Sequence, residues 1–136
     1  MLTKSQLKNI SYKIIGCAIE VHKELGPGLL ESVYHTCFLH ELSSHGLQTN
    51  SQVYVPVNYK GVNLGGLLKL DLIVENSIIV EIKSVETLIP LYNAQLLSYL
   101  KLADKPKGLL INFNVPSIKG NVVSMVTDLY QALPQD

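Results

Sequence analysis

The stretch "LDLIVENSIIVEIK", residues 70–83, decides the fold. Two short runs of Leu, Ile and Val flank Glu75-Asn76-Ser77, which is the composition of two sheet-interior strands joined by a turn. The same stretch carries Asp71, Glu81 and Lys83, although burying even one unpaired charge costs on the order of several kcal/mol. Glu81 and Lys83, two apart on a strand, project to one face, with Val80 and Ile82 on the other. Where Asp71 points depends on the turn. A two-residue loop at Asn76-Ser77 sets Leu72 opposite Glu81 and sends Asp71 to the other face, whereas a three-residue loop at 75–77 sets Asp71 directly across from Glu81.

Two facing carboxylates repel, so the second arrangement needs a cation, a shared proton or Lys83 to compensate. Magnesium, or manganese in its place, suits such a pair, because it takes hard oxygen ligands and is usually held by one or two carboxylates with waters and phosphate. Lys83 beside that ion would orient or deprotonate an attacking water and offset charge building on phosphorus. A plain ion pair, with Lys83 bridging Asp71 and Glu81, explains the same residues without chemistry.

Outward from the hairpin, Leu7, Ile10, Ile14, Cys17, Ala18, Val21 and Leu25 recur at three- and four-residue spacing and predict a helix over about 5–24, with Ser5 as its N-cap. "GPG" at 26–28 stops it. A second helix is expected over about 29–45, burying Leu30, Val33, Tyr34, Cys37 and Phe38 and ending at Gly46. "QVYVPVNYKGVNLGG" then alternates as a strand whose Pro56 favours an edge or a bulge, with Tyr59-Lys60-Gly61 as its turn. Strands follow at 67–74 and 78–84, a third helix from Pro90 to Ala103, a buried strand at 108–115, and a further strand in the first half of 121–130. The helix before 108–115 supplies the crossover a parallel pair needs, so the reading is an α/β three-layer domain with a mixed sheet flanked by helices.

Three further places carry polar groups that either plain structure (a dipole-favoured carboxylate, a core tyrosine, a solvated helix edge) or a polar site accounts for. Glu31 in "GPGLLESVY" falls in a helix first turn, where the dipole favours a carboxylate, and Tyr34 lies one turn later on the same side. Gln95 shares a helix face with Tyr92 and Tyr99 and needs a hydrogen-bond partner that the mouth of a polar site would supply. Lys69, two before Asp71, is placed to meet phosphate as a point charge.

At 136 residues the chain is the size of one domain, 1–136, and 47% hydrophobic against 16% charged residues excludes disorder. No apolar run reaches the roughly 18 residues of a spanning helix, and "MLTKSQLKNISYK" has no signal-peptide core, so no membrane is expected and the location expected is cytoplasmic. Cys17 and Cys37 read as buried thiols, and the four histidines show no ligand spacing. Eleven lysines, no arginine and eleven carboxylates give no net charge, which argues against a strong, sequence-blind DNA binder and leaves nucleic-acid contact local or metal-assisted. There is no glycine-rich nucleotide loop.

"GLLESVY", with Gly28, Glu31 and Tyr34, resembles the motif that names the GxxExxY protein family, and "KLDLIVENSIIVEIKSVE" followed by "AQLLSYLK" continues the likeness from about Ile14 to Phe113. That family is similar to a small branch of the PD-(D/E)XK nuclease superfamily. The resemblance implies a restriction-endonuclease-like core and a metal site at Asp71 and Glu81, with the Ile82 carbonyl as a further ligand. It implies Lys83 as the catalytic lysine, Glu31 as the extra acidic residue of the preceding helix and Gln95 as the polar residue of the helix after the lysine strand. Leu70 stands where the superfamily name has proline, and Lys69 where many members have arginine. The activity implied is magnesium- or manganese-dependent cleavage of DNA or RNA. The rival is a non-catalytic nucleic-acid-binding or protein-interaction module on the same fold. A homodimer is expected by analogy with small nucleases that pair to span a duplex.

Overall fold

Helix α1 (Lys4–Leu25) carries the predicted apolar stripe in a computed structural model that describes residues 2–136. Its N-cap is Thr3, not Ser5: the Thr3 hydroxyl accepts the Gln6 N–H at 3.1 Å and the Gln6 side chain accepts the Thr3 N–H at 2.9 Å. This reciprocal box satisfies two donors that a cap at Ser5 would leave open. Helix α2 (Glu31–Ser44) buries Tyr34, Phe38 and Leu42. Leu30 and Val33, expected in the core, are 74% and 38% exposed. The buried stripe of α2 is therefore a single four-residue row, and Leu30 is its N-cap, outside the first turn.

The strands are β1 (Thr49–Val55), β2 (Asn58–Tyr59), β3 (Val62–Asn63), β4 (Leu68–Val74), β5 (Ile78–Lys83), β6 (Lys107–Asn112) and β7 (Val122–Val126). Helix α3 (Pro90–Ala103) joins β5 to β6, and the short α4 (Asp128–Gln131) follows β7. Five strands form one sheet in the order β1-β4-β5-β6-β7, with β2 and β3 as a separate small hairpin at the expected turn. Only β5 and β6 are parallel, as the intervening helix requires; β1/β4, β4/β5 and β6/β7 are antiparallel. Pro56 falls just past the end of β1, which is an edge strand where a missing N–H is tolerated.

Two clusters of buried side chains mark the three layers. One joins α1 and α2 to Leu72, Val74, Ile78, Val80, Leu109 and Ile111; the other joins Leu96 and Leu100 of α3 to Ile73, Ile79 and Leu110. The mixed sheet flanked by helices is thus the architecture read from the sequence, and it agrees with a restriction-endonuclease-like core. Among the described residues, no helix is long and apolar enough to cross a membrane.

Candidate metal and phosphodiester site

The turn between β4 and β5 has three residues. Val74 pairs with Ile78 and Leu72 with Val80, so the register sets Asp71 across from Glu81. Glu75 and Asn76 both adopt φ near 51°, and the Ser77 N–H closes the turn on the Val74 carbonyl at 3.1 Å. The turn is tied on both sides. Glu75 accepts the Gln48 N–H at 2.6 Å, and the Lys105 ammonium reaches the Asn76 carbonyl and side-chain oxygen at 3.0 Å each. The register set at this turn carries through the Ile73–Ile79 and Leu72–Val80 pairs to the far end of the hairpin, roughly 10 Å away.

Beyond Leu72–Val80 the backbone ladder stops and the carboxylates take its place. The Asp71 N–H donates to Glu81 Oε2 at 2.9 Å, and the Ile82 N–H donates to Asp71 Oδ2 at 2.9 Å. A second irregularity lies beside the first. Leu72 and Val74 pack under α1 and α2, but Leu68 and Leu70 pack under α3, where strict alternation would keep Leu70 with Leu72. The face changes at Asp71, between the Ser51–Leu72 and Val53–Leu70 pairs of β1 and β4. There Gln52 holds φ at 53°, a left-handed conformation that costs a non-glycine residue about 1–2 kcal/mol. The same interruption breaks the alternation that would carry Lys69 to the face of Asp71; Lys69 is exposed opposite Tyr54.

Glu81 is 8% exposed, and its acid pKa is raised to about 7, first by burial and then by the Asp71 charge, against the Asp71 N–H and Lys83, which lower it. Glu31 is raised in the same direction by partial loss of water and by Asp71, with Lys83 and His35 opposing. Tyr99 of α3 is raised by burial and by Glu81 and Asp71. Glu31, Asp71, Glu81 and Lys83 therefore lie within electrostatic reach of one another at one end of the sheet. The Lys83 ammonium sits 4.6 Å from the centre of the Tyr92 ring, a cation–π contact that holds it over α3. A cleft of about 350 Å³ opens beside Asp71, between Glu31 and His35 of α2 and Ser51 and Gln52 of β1.

Tyr34 and Gln95 stand further back. The Tyr34 ring is fully buried and stacked on Phe113 at 4.8 Å between centres. Its hydroxyl donates to the Gly26 carbonyl at 2.6 Å and accepts the Leu29 N–H at 3.2 Å, pinning the turn that delivers Glu31. Gln95 is half-buried on α3, and its amide bonds to no other group among the described residues. Sequence reading passed over Ser84, whose hydroxyl donates to the Leu29 carbonyl at 2.6 Å and so ties the end of β5 to the start of α2. It also passed over Asn112, buried at the end of β6, which exchanges hydrogen bonds with both backbone groups of Val85 at 2.8 and 3.1 Å. A polar residue closing the apolar run "GLLIN" was the available signal for Asn112; Ser84 offered none.

Over residues 8–125 the chain matches the profile of the PD-(D/E)XK nuclease superfamily. The chain belongs to that superfamily. Neither a curated protein nor a solved structure matches it significantly. PD-(D/E)XK nucleases generally use divalent metals, and two observations bear on the fit here. Hard carboxylate oxygens lie close together where burial, and then the Asp71 charge, raise Glu81 despite the nearby Lys83, and a dication would favour the ionised pair. Each carboxylate spends one oxygen on a backbone N–H, and among the described residues the other oxygen accepts no hydrogen bond. Among the described residues, no group of three or more His, Cys, Asp or Glu side chains converges on one metal-binding point. The donor set fits a cation bound through two carboxylates with the remaining positions left to water and phosphate, the usual habit of magnesium.

Proposed function

We propose that this chain is a single nuclease-like domain that hydrolyses phosphodiester bonds of DNA or RNA with magnesium or manganese. The observation that carries the reading is the exchange between Asp71 and Glu81 where β4 and β5 part, with Lys83 two residues from Glu81. The "GLLESVY" motif supports placing it in the GxxExxY branch. Asp71 and Glu81, with Glu31 and the Ile82 carbonyl as further oxygen donors, would hold the cation. A bound cation supplies charge stabilisation at the phosphate and lowers the pKa of water.

The other roles fall to the protein's own groups. The Lys83 ammonium orients the attacking water and offsets charge growing on the phosphate oxygens. Lys69 meets a neighbouring phosphate. Gln95 offers an amide at the α3 side of the site, and Tyr34 acts as a positioning residue through the 26–30 turn. A binding module on the same fold is the second reading, favoured by the absence of a three-group cluster among the described residues.

Thermal unfolding with and without magnesium or manganese separates the two. The enzyme gains stability with the ion in proportion to ln(1 + [ion]/Kd), and Asp71→Asn, which keeps an acceptor for the Ile82 N–H, loses that gain and the cleavage of mixed DNA and RNA. Cleavage that survives unchanged in Asp71→Asn belongs to a contaminant and removes the proposal.

A further inference from the structure

The segment that leaves β1 and returns to β4 forms a stiff arm. Its tip, Lys60-Gly61, takes positive φ at both residues (51° and 81°), as tight two-residue hairpins require. The two legs are tied by Leu64 N–H to Val57 C=O at 2.9 Å and Val57 N–H to Gly65 C=O at 3.0 Å. Gly66 then passes against Tyr54, where a Cβ would lie 3.2 Å from the tyrosine Cβ.

The arm exposes aromatic and basic groups together. Tyr54 is 65% and Tyr59 58% exposed, and the Lys60 ammonium lies 5.4 Å from the Tyr59 ring centre. Residues 42–70 contain no Asp or Glu, and their lysines are Lys60 and Lys69. Tyr54 pairs with Lys69 across β1 and β4, two rungs, or about 7 Å, from the Gln52–Asp71 position. Exposed rings beside lysines, without carboxylates, are what single strands bind: bases stack on the rings while the cations meet the backbone. A duplex keeps its base faces inside the stack and offers the tyrosines nothing comparable. A second copy docked here about a two-fold axis would bring Lys60 and Lys69 against like charges with no carboxylate to neutralise them.

We infer that the arm and the adjoining ends of β1 and β4 form a platform for unpaired nucleic acid, on which bases stack on Tyr54 and Tyr59 while Lys60 and Lys69 neutralise phosphates, leading the strand across β1 to Asp71. This rests on the proposed hydrolysis at Asp71 and names its substrate class as single-stranded DNA or RNA. The test is fluorescence anisotropy of labelled oligothymidylate, oligouridylate and a duplex of equal length, titrated with the full chain in EDTA so that nothing is cut. At least one unpaired oligonucleotide binds ten-fold or more tighter than the duplex. Tyr54→Ala and Tyr59→Ala each weaken that binding about ten-fold, Tyr54→Phe and Tyr59→Phe bind as wild type, and all four melt with the parent. Equal or tighter duplex binding, no binding by any probe, or alanine variants that bind like the parent overturn the inference. Self-association seen by sedimentation and lost in the alanine variants overturns it in favour of a second copy. A protein that binds single strands yet never cleaves fails the hydrolysis reading alone, and one that cleaves only duplex with metal fails the platform alone.

Discussion

The Glu81 carboxylate accepts the N–H of Asp71 at 2.9 Å, and one residue further along β5 the Ile82 N–H is accepted by Asp71. The two acids thus do the work of the missing ladder bonds and let β4 part from β5 without leaving donors orphaned. The arrangement concentrates negative charge in a buried place. Folding tolerates this because the flanking strands are among the most deeply buried in the chain. Burial and charge together give the site its distinguishing acid, Glu81.

The folded protein holds a proton on Glu81 up to about pH 7, against an ordinary value of 4.5. Between those limits the native state binds more protons than the unfolded chain, so stability falls as pH rises through the window and the full cost applies above it. Asp71, Lys83 and Glu31 all act on this group. Glu81→Gln keeps an acceptor for the Asp71 N–H and removes the charge. In urea unfolding with EDTA it should match wild type near pH 4.5 and exceed it at pH 8 by on the order of 1–3 kcal/mol.

The position of Asp71 across from Glu81 was legible in the sequence as one of two alternatives, because an odd loop at 75–77, or a bulge, brings the acids together where a two-residue loop does not. What chose between them lies far away in sequence: Gln48 and Lys105 clamp the turn. The boundaries of α3 were legible because Pro90 suits a first turn and the leucine row is unbroken. The exposure of Leu30 and Val33 was not, since a helix face reads apolar whether its outer edge meets the core or borders a cleft. Nor was the change of face at Asp71, because it depends on Gln52 taking a backbone conformation its side chain does not announce.

Tyr34→Phe tests whether the phenol serves the site through the turn. It keeps the stack on Phe113 and removes the bonds to Gly26 and Leu29. The expected loss is about 1–2 kcal/mol in chemical unfolding, from one strong hydrogen bond and an N–H left without its partner. If Glu31 is a ligand, the metal-dependent rise in melting temperature should shrink as the turn loosens, and in Tyr34→Leu, which also loses the stack, it should shrink further.

Gly108→Ala addresses the α3 layer. A Cβ at this position would meet the Leu96 Cδ1 at 2.8 Å and the Leu100 Cδ1 at 3.1 Å, because β6 runs directly beneath the helix. The two leucines are fully buried and have nowhere to turn. Displacing α3 should cost about 1–3 kcal/mol, and because α3 carries Tyr92, Gln95 and Tyr99, cleavage should fall by more than the loss of folded protein accounts for. Comparing unfolding curves with rates at a temperature where both proteins are fully folded reads the two effects separately.

Lys83 offers the sharpest separation of chemistry from structure. Its ammonium is held over Tyr92 at 4.6 Å, a contact worth about 0.5–1 kcal/mol at a partly exposed site. Lys83→Met keeps the apolar stem along the ring and removes the charge, so stability should move by no more than that amount. A cation that orients water and opposes charge on phosphate contributes far more to the rate than to the fold, and its loss should lower cleavage by about 100-fold or more. Lys83 also lowers the acid values of Glu81 and Glu31, so its removal should push both upward and weaken metal-dependent stabilisation most near neutral pH. Restoring that stabilisation at pH 9 without restoring cleavage would assign Lys83 to the reacting water. Recovery of both together would make it only a counter-charge for the acids.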